Sequence, residues 1–191
     1  MTPEQIKESL EHNHQIIIKT LGACPNIVLV GTGNPVLRQK AQPVSLERGI
    51  ETGEELKITL KKYREIAGYG RGLAAPQIGK NESVFVTYVD DKFKTYINPK
   101  ILERSKDSYL YREGCLSCAY ATADVKRPRS ITIEYTDESG SIVKDEVDGF
   151  LARLLQHEYD HLEGVLNIDV AEIGGLGPRF SDPLKEELRE C

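Results

Sequence analysis

From Gln156 to Leu162 the chain reads Gln-His-Glu-Tyr-Asp-His-Leu, two histidines four residues apart with a glutamate directly after the first. On a helix advancing about 100° per residue, His157 and His161 fall on one face one turn apart, close enough to bind one divalent metal. Glu158 then projects beside the metal, where it can take a proton from bound water. The flanking leucines give the other helix face something to bury. The competing account is a solvated or core helix that carries these residues for no chemical reason. Histidine is scarce here, four in the whole chain, so two at ligand spacing around a glutamate favour a metallohydrolase.

A length of 191 residues suffices for one domain, residues 1–191, with a full hydrophobic core. The formal net charge of -5, with acidic and basic residues mixed throughout, argues against direct nucleic-acid binding, which would show a basic stripe. No apolar run of about 18 residues is present, so no membrane span is expected. The first residues lack the charged-then-apolar layout of a signal peptide, which predicts a cytoplasmic protein. Residues 2–21 instead read as an amphipathic helix within an N-terminal extension, residues 1–25. Thr2 can cap it, Pro3 takes the first helical position, Gln5 completes a capping box, and Ile6, Leu10 and Ile17 form an apolar stripe. Glu4, Glu8 and Glu11 speak against a mitochondrial transit peptide.

The cysteines, Cys24, Cys115, Cys118 and Cys191, are expected as thiols. Cys115 and Cys118 form a C-x-x-C: a redox pair, half of a structural zinc site, or one ligand with a bystander.

Further along, Ile27 to Val30 is a short apolar run ended by Gly31 and Gly33, and Pro35 to Arg38 reads as irregular. Thr52 with Glu55, then Leu56, Leu60, Tyr63 and Ile66, predict a second helix closing at Gly68. Gly70, Gly72, Pro76 and Gly79 frame a loop. Strands are predicted at Ser83 to Val89, around Tyr96-Ile97, at Ser130 to Tyr135, and through a turn near Gly140 at Ser141 to Val147. The metal helix follows Asp148-Gly149 and ends near Gly164. This order of helix, strands, then helix predicts an α+β fold with antiparallel strands rather than a doubly wound sheet.

A catalytic metal site needs a third protein ligand and an open position for water. Downstream of His161 the candidates are Glu163, Asp169 and Glu172; upstream, Glu113-Gly114-Cys115-Leu116-Ser117 offers a thiolate. Taken in order, Gly72-Leu73-Ala74-Ala75-Pro76-Gln77-Ile78-Gly79, Glu113-Gly114-Cys115-Leu116-Ser117 and Gln156-His157-Glu158-Tyr159-Asp160-His161-Leu162 resemble the three signature motifs of the peptide deformylases. Gly33 to Arg38 and Ile97-Asn98-Pro99 also resemble family segments, so the resemblance runs from about residue 26 to 170.

The resemblance implies antiparallel sheets around a central helix that carries the metal motif. It implies iron(II) held by Cys115, His157 and His161 with water in the fourth place, and removal of the formyl group from N-formylmethionyl peptides, releasing formate. Zinc, nickel or cobalt would be accepted by the same donors. Glu158 becomes the general base and acid, and the Gln77 side-chain amide and the Leu116 N–H become the oxyanion donors. Gly72 would add main-chain hydrogen bonds to substrate. The methionine pocket would lie around Leu116, Phe150 and Leu154, with Tyr111 near its rim, and Asp160 would pair with Arg127. Nascent chains are the implied substrates, with the ribosome a candidate contact.

Two positions depart from the family pattern: Arg71 stands where an apolar residue is common, and Cys118-Ala119 follows Ser117 where an aliphatic residue and proline are commoner. Two rival readings remain at this point. Cys115, Cys118, His157 and His161 could close a structural Cys2His2 zinc site, although Cys118 and His157 are far more widely separated than the roughly 12 residues of a small finger. A zinc peptidase cutting ordinary amide bonds is the other.

Overall fold

The computed structural model describes residues 2–179. Cys191 and most of the tail from Gly174 lie outside the described residues.

Helix α1, Pro3–Ala23, begins with the predicted capping box: the Gln5 N–H donates to Thr2 Oγ1 at 3.2 Å and the Thr2 N–H to Gln5 Oε1 at 2.8 Å. Of the predicted stripe only Ile17 is buried, whereas Ile6 and Leu10 stay exposed. The buried residues, Asn13, Ile17 and Thr20, lie from the middle of the helix onwards.

Helix α2, Leu46–Ala67, starts six residues before the predicted Thr52. Its cap is Ser45, whose Oγ accepts the Arg48 N–H at 3.3 Å. Gly49 and Gly53 look like interruptions in a helical pattern, but here they admit a strand. A Cβ on Gly49 would come within 2.5 Å of Ile97, and one on Gly53 within 2.7 Å of Thr95. Close packing, not a chain break, is what these glycines serve. Thr52 is buried inside the helix and donates its hydroxyl to Glu82.

Eight strands follow among the described residues: β1 Gly72–Ala74, β2 Val84–Val89, β3 Lys92–Arg104, β4 Ser108–Gly114, β5 Ala121–Pro128, β6 Ser130–Thr136, β7 Ile142–Asp148 and β8 Ala171–Pro178. A five-stranded sheet has the order β1-β2-β3-β6-β7 and a three-stranded sheet the order β4-β5-β8, with every pairing antiparallel. Helix α3, Gly149–Leu162, carries the two histidines.

Strands alternate their side chains, and both faces of the larger sheet are covered. Val84, Val86 and Ile97 pack with Leu56 and Leu60 of α2. Phe85, Tyr96, Ile133 and Tyr135 point the other way and pack with Ala152, Leu155 and Leu162 of α3. The rings of Phe85 and Tyr96, and of Tyr96 and Tyr135, have centroids 4.6 Å apart, a spacing that adds to their burial. The polar face of α3 turns to the smaller sheet: Gln156 Nε2 donates to Pro128 O at 3.0 Å and Arg153 Nη2 to Tyr109 O at 2.6 Å. The helix with the metal motif thus lies between the two sheets.

Three expectations need correction. The predicted loop over Gly70 to Gly79 holds β1 and a 3-10 turn over Ala75–Ile78. Strands β4, β5 and β8 are not among the predicted ones. Arg112, Glu113, Asp124 and Arg127 interrupt the apolar alternation of β4 and β5, and they are accommodated because they pair with one another or with α3. In β8, Gly174, Gly175, Gly177 and Pro178 imitate loop composition. Pro35–Arg38, read as irregular, forms a 3-10 turn capped by Asn34.

Candidate metal centre

Cys115 leaves the end of β4, and His157 and His161 stand one turn apart on α3. One ligand atom from each lies within 4.8 Å of the other two, and all three residues are at most 9 % exposed. Cys115 Sγ is 3.4 Å from His161 Nε2. Burial would raise the Cys115 thiol, but a hydrogen bond from Cys118 and the two histidines outweigh it and hold the thiol well below its usual range.

The residue that organises this cluster has no role in the sequence reading. Glu113, two residues before the cysteine, accepts the His157 Nδ1–H on Oε2 at 2.9 Å. Arg127 Nε donates to Glu113 Oε1 at 2.6 Å and Arg127 Nη2 to Oε2 at 3.0 Å, while Arg153 Nη1 donates to Oε1 at 2.6 Å. Burial disfavours the Glu113 anion, yet His157 and Arg127 overturn that and keep its carboxyl far below the ordinary range. The fixed anion makes Nδ1 the donor on His157 and leaves Nε2 for a metal. Arg127 Nη1 also reaches Asp160 Oδ2 at 2.8 Å, the pairing expected for Asp160. Asn167 Nδ2 donates to Glu113 O at 3.0 Å, and Arg179 Nη2 to Cys115 O at 3.1 Å, so backbone as well as side chains of the cysteine loop are held. The signal for Glu113 was its place in the Glu-Gly-Cys motif; Arg153 carried none, since an arginine on a helix is usually solvated.

Gln77 is 1 % exposed, not a solvated loop residue. Its Oε1 accepts the Ala74 N–H at 2.9 Å, which aims Nε2 at Cys115 Sγ, 3.5 Å away, and Ser117 Oγ, 3.4 Å away. Gly72 abuts Glu158: a Cβ built on it would fall 2.2 Å from Glu158 Oε1. Glu158 is 3 % exposed, and its Oε2 meets no hydrogen-bond partner among the described residues. Burial is the main reason its carboxyl is pushed up to about 7, against the lowering effect of His157 and His161. The Leu116 N–H likewise has no acceptor among the described residues.

The expected pocket residues are less concentrated. Leu154 is buried on α3 and Phe150 is 40 % exposed at its start. Tyr111 lies on β4 with the Arg153 guanidinium 5.5 Å from its ring centroid. The Leu116 side chain packs against the two apolar clusters that include Leu56, Leu60 and Tyr63 of α2. Cys118 is buried but stands outside the three-ligand cluster, which counts against the closed Cys2His2 reading. Its hydrogen bond to Cys115, then its burial, push its own thiol up.

One thiolate and two imidazoles suit iron(II), zinc, cobalt or nickel, whereas magnesium and calcium would require oxygen donors. The donor set, the aligned His157 ring and the partnerless Glu158 oxygen all fit such an ion bound at Cys115, His157 and His161. Comparisons with known proteins agree in kind. The family model for polypeptide deformylase matches residues 27–173. A peptide deformylase from Treponema pallidum is 41 % identical over 139 residues, covering 72 % of this chain and 83 % of that protein. Among solved structures, a peptide deformylase from Thermus thermophilus superposes with a TM-score of 0.69 at 36 % identity, covering 78 % of this chain and 86 % of that one. The Synechococcus elongatus enzyme, crystallised in complex with actinonin, gives 0.67 at 37 % identity over 76 % and 78 %. With its α+β architecture and a matched segment that spans all three motifs, the chain belongs to the polypeptide deformylase family of enzymes.

Proposed function

We propose that this protein hydrolyses the N-formyl group from the terminal formylmethionine of newly made polypeptides, releasing formate, with Cys115, His157 and His161 holding iron(II). When bound, such an ion supplies a Lewis acid that lowers the pKa of a water and polarises the formyl carbonyl. Zinc, nickel or cobalt would fit the same donors. The observation that carries the reading is the convergence of three ligand atoms within 4.8 Å of one another beside a buried carboxyl, Glu158, whose Oε2 has no hydrogen-bond partner among the described residues. Burial pushes that carboxyl up to about 7, and a base tuned near the working pH takes a proton and returns it with comparable ease.

In this reading Glu158 accepts the proton of the attacking water as it adds to the formyl carbon, then passes it to the departing amine. The Gln77 Nε2 amide and the Leu116 N–H donate to the oxyanion that develops on the formyl oxygen; each such donor is worth about 3 kcal/mol in comparable sites. Gly72 admits the peptide backbone beside Glu158 because it has no side chain. Phe150, Leu154 and Tyr111 line the methionine side. Residues 1–191 act as one catalytic domain, with residues 1–25 as an extension, and contact with the ribosome would bring nascent chains to the site.

The test is formate release from a short formyl-Met peptide by anaerobically prepared, iron-loaded protein. Glu158→Gln should keep its metal and lose turnover by about 10²- to 10⁴-fold. Equal turnover in that variant, or cleavage of internal bonds in unformylated peptides, would overturn the assignment.

A further inference from the structure

Arg71 sets a positive charge at the outer end of β1, immediately before the glycine that touches Glu158. Its backbone is fixed: the Arg71 carbonyl accepts the Tyr88 N–H at 2.7 Å, and the preceding Gly70 carbonyl accepts from Arg64, whose guanidinium carbon lies 4.2 Å from the Tyr88 ring centroid. Its side chain is exposed, with the guanidinium carbon 5.2 Å from the centroid of Phe150. Arg48, Arg112, Arg127 and Arg153 each pair with a carboxylate, whereas Arg71 has none among the described residues. A ring beneath a guanidinium holds it in place without neutralising it.

Strand β1 is an edge of the five-stranded sheet. Along an antiparallel ladder successive residues turn their N–H and C=O groups alternately towards the partner and away from it. Arg71 bonds to β2, so Gly72 turns to the free edge, as does Ala74, whose N–H goes to Gln77 Oε1. An extended peptide can pair with that edge. Gln77 lies on one side of Gly72 along the chain and Arg71 on the other. A substrate whose formyl end points towards Gln77 therefore carries its later residues past Arg71, two residues covering about 7 Å.

We propose that Arg71 selects for a carboxylate within the two residues that follow the formylmethionine. The proposal rests on the deformylase reading above. That carboxylate can be an acidic side chain or the C-terminus of a very short peptide, and both offer the planar acceptor that a guanidinium fits.

The experiment compares kcat and KM for formyl-Met-Ala-Glu-Ser, formyl-Met-Ala-Gln-Ser and formyl-Met-Ala-Lys-Ser, all C-terminally amidated, and for formyl-Met-Ala as free acid and as amide. Wild type should favour Glu over Lys by about five-fold in kcat/KM, through KM, with the ratio shrinking at high salt. The ratio should collapse towards one in Arg71→Met and invert in Arg71→Glu. Ratios taken within each variant cancel any general loss of activity. The amidated tetrapeptides read the side chain and the dipeptide pair reads the terminus; a preference in either that disappears in Arg71→Met supports the proposal. Calorimetric binding of the unformylated peptides to metal-free protein should follow the same order. Equal KM values throughout, or preferences of which none disappears in Arg71→Met, overturn the role of Arg71 while leaving deformylation standing. No formate from any peptide would instead overturn the deformylase reading.

Discussion

The Glu113 carboxylate lies 2.9 Å from His157 Nδ1 and also takes three hydrogen bonds from Arg127 and Arg153, so one buried anion joins a candidate metal ligand to two arginines from different elements. Each partner needs the others, because a charge buried here without them would be costly.

Glu113→Gln should therefore weaken metal binding by about 10- to 100-fold, the usual consequence of losing the group that orients a ligating histidine. It should also destabilise the fold by about 3–5 kcal/mol, since Arg153 loses its only carboxylate partner among those described. Chelator competition and thermal melts read the two effects separately. Unchanged values of both would show that Glu113 does not organise the site.

Gly72→Ala tests the close approach at Glu158. The new Cβ would overlap the carboxylate, which has to move. A displacement of about 1 Å at a catalytic group costs on the order of 10²-fold in kcat. Metal content should stay near normal, because neither Gly72 nor Glu158 belongs to the ligand set. Full turnover in this variant would remove Glu158 from the mechanism or show that the strand can shift at no cost.

Gln77 has two separable tasks. Its Oε1 accepts the Ala74 N–H and its Nε2 is the proposed oxyanion donor. Gln77→Glu keeps an acceptor for Ala74 and removes the amide donor, so it should lower kcat by about 10²- to 10³-fold. Gln77→Leu should lose kcat similarly and in addition lose about 1–3 kcal/mol of stability, as a buried N–H is left unpaired. If both variants retain kcat, the oxyanion role fails.

Asp145 supplies a pH-dependent element away from the site. Burial raises its carboxyl, but hydrogen bonds from Lys94 and Tyr135, each 2.9 Å, outweigh this and leave it below the ordinary value. A depressed folded-state pKa contributes stability above the unfolded pKa of about 3.9, and that contribution is lost as pH falls through the lower folded value. The melting temperature of Asp145→Asn should thus lie below that of wild type at neutral pH, with the gap closing below about pH 4. A gap that persists in acid would mean that the shape of the side chain, not its charge, supports Tyr135.

Much of the site was legible because its chemistry is local. His157, Glu158 and His161 share one helix, and Cys115 and Gln77 stand inside short motifs, so a linear reading could nominate them. Strands β4 and β5 escaped it for the opposite reason: Arg112 pairs with Asp124 across the sheet, and Arg127 with Glu113, which lets charged residues occupy strands that look too polar to pair. The early start of α2 was hidden by Gly49 and Gly53, whose value emerges only when Ile97 and Thr95 lie against them.

By itself the sequence determined the metal helix, the capped α1, the α+β class and the candidate ligands, which depend on spacing of about a turn or less, on short motifs, or on the order of elements along the chain. Tertiary structure alone decided what Glu113, Arg127 and Arg153 do, why Gly72 has no side chain, and that Cys118 stays out of the cluster. Those outcomes depend on which residues burial brings together from distant segments, and in a low-dielectric interior the pairing of charges is set by the final packing rather than by any nearest-neighbour pattern.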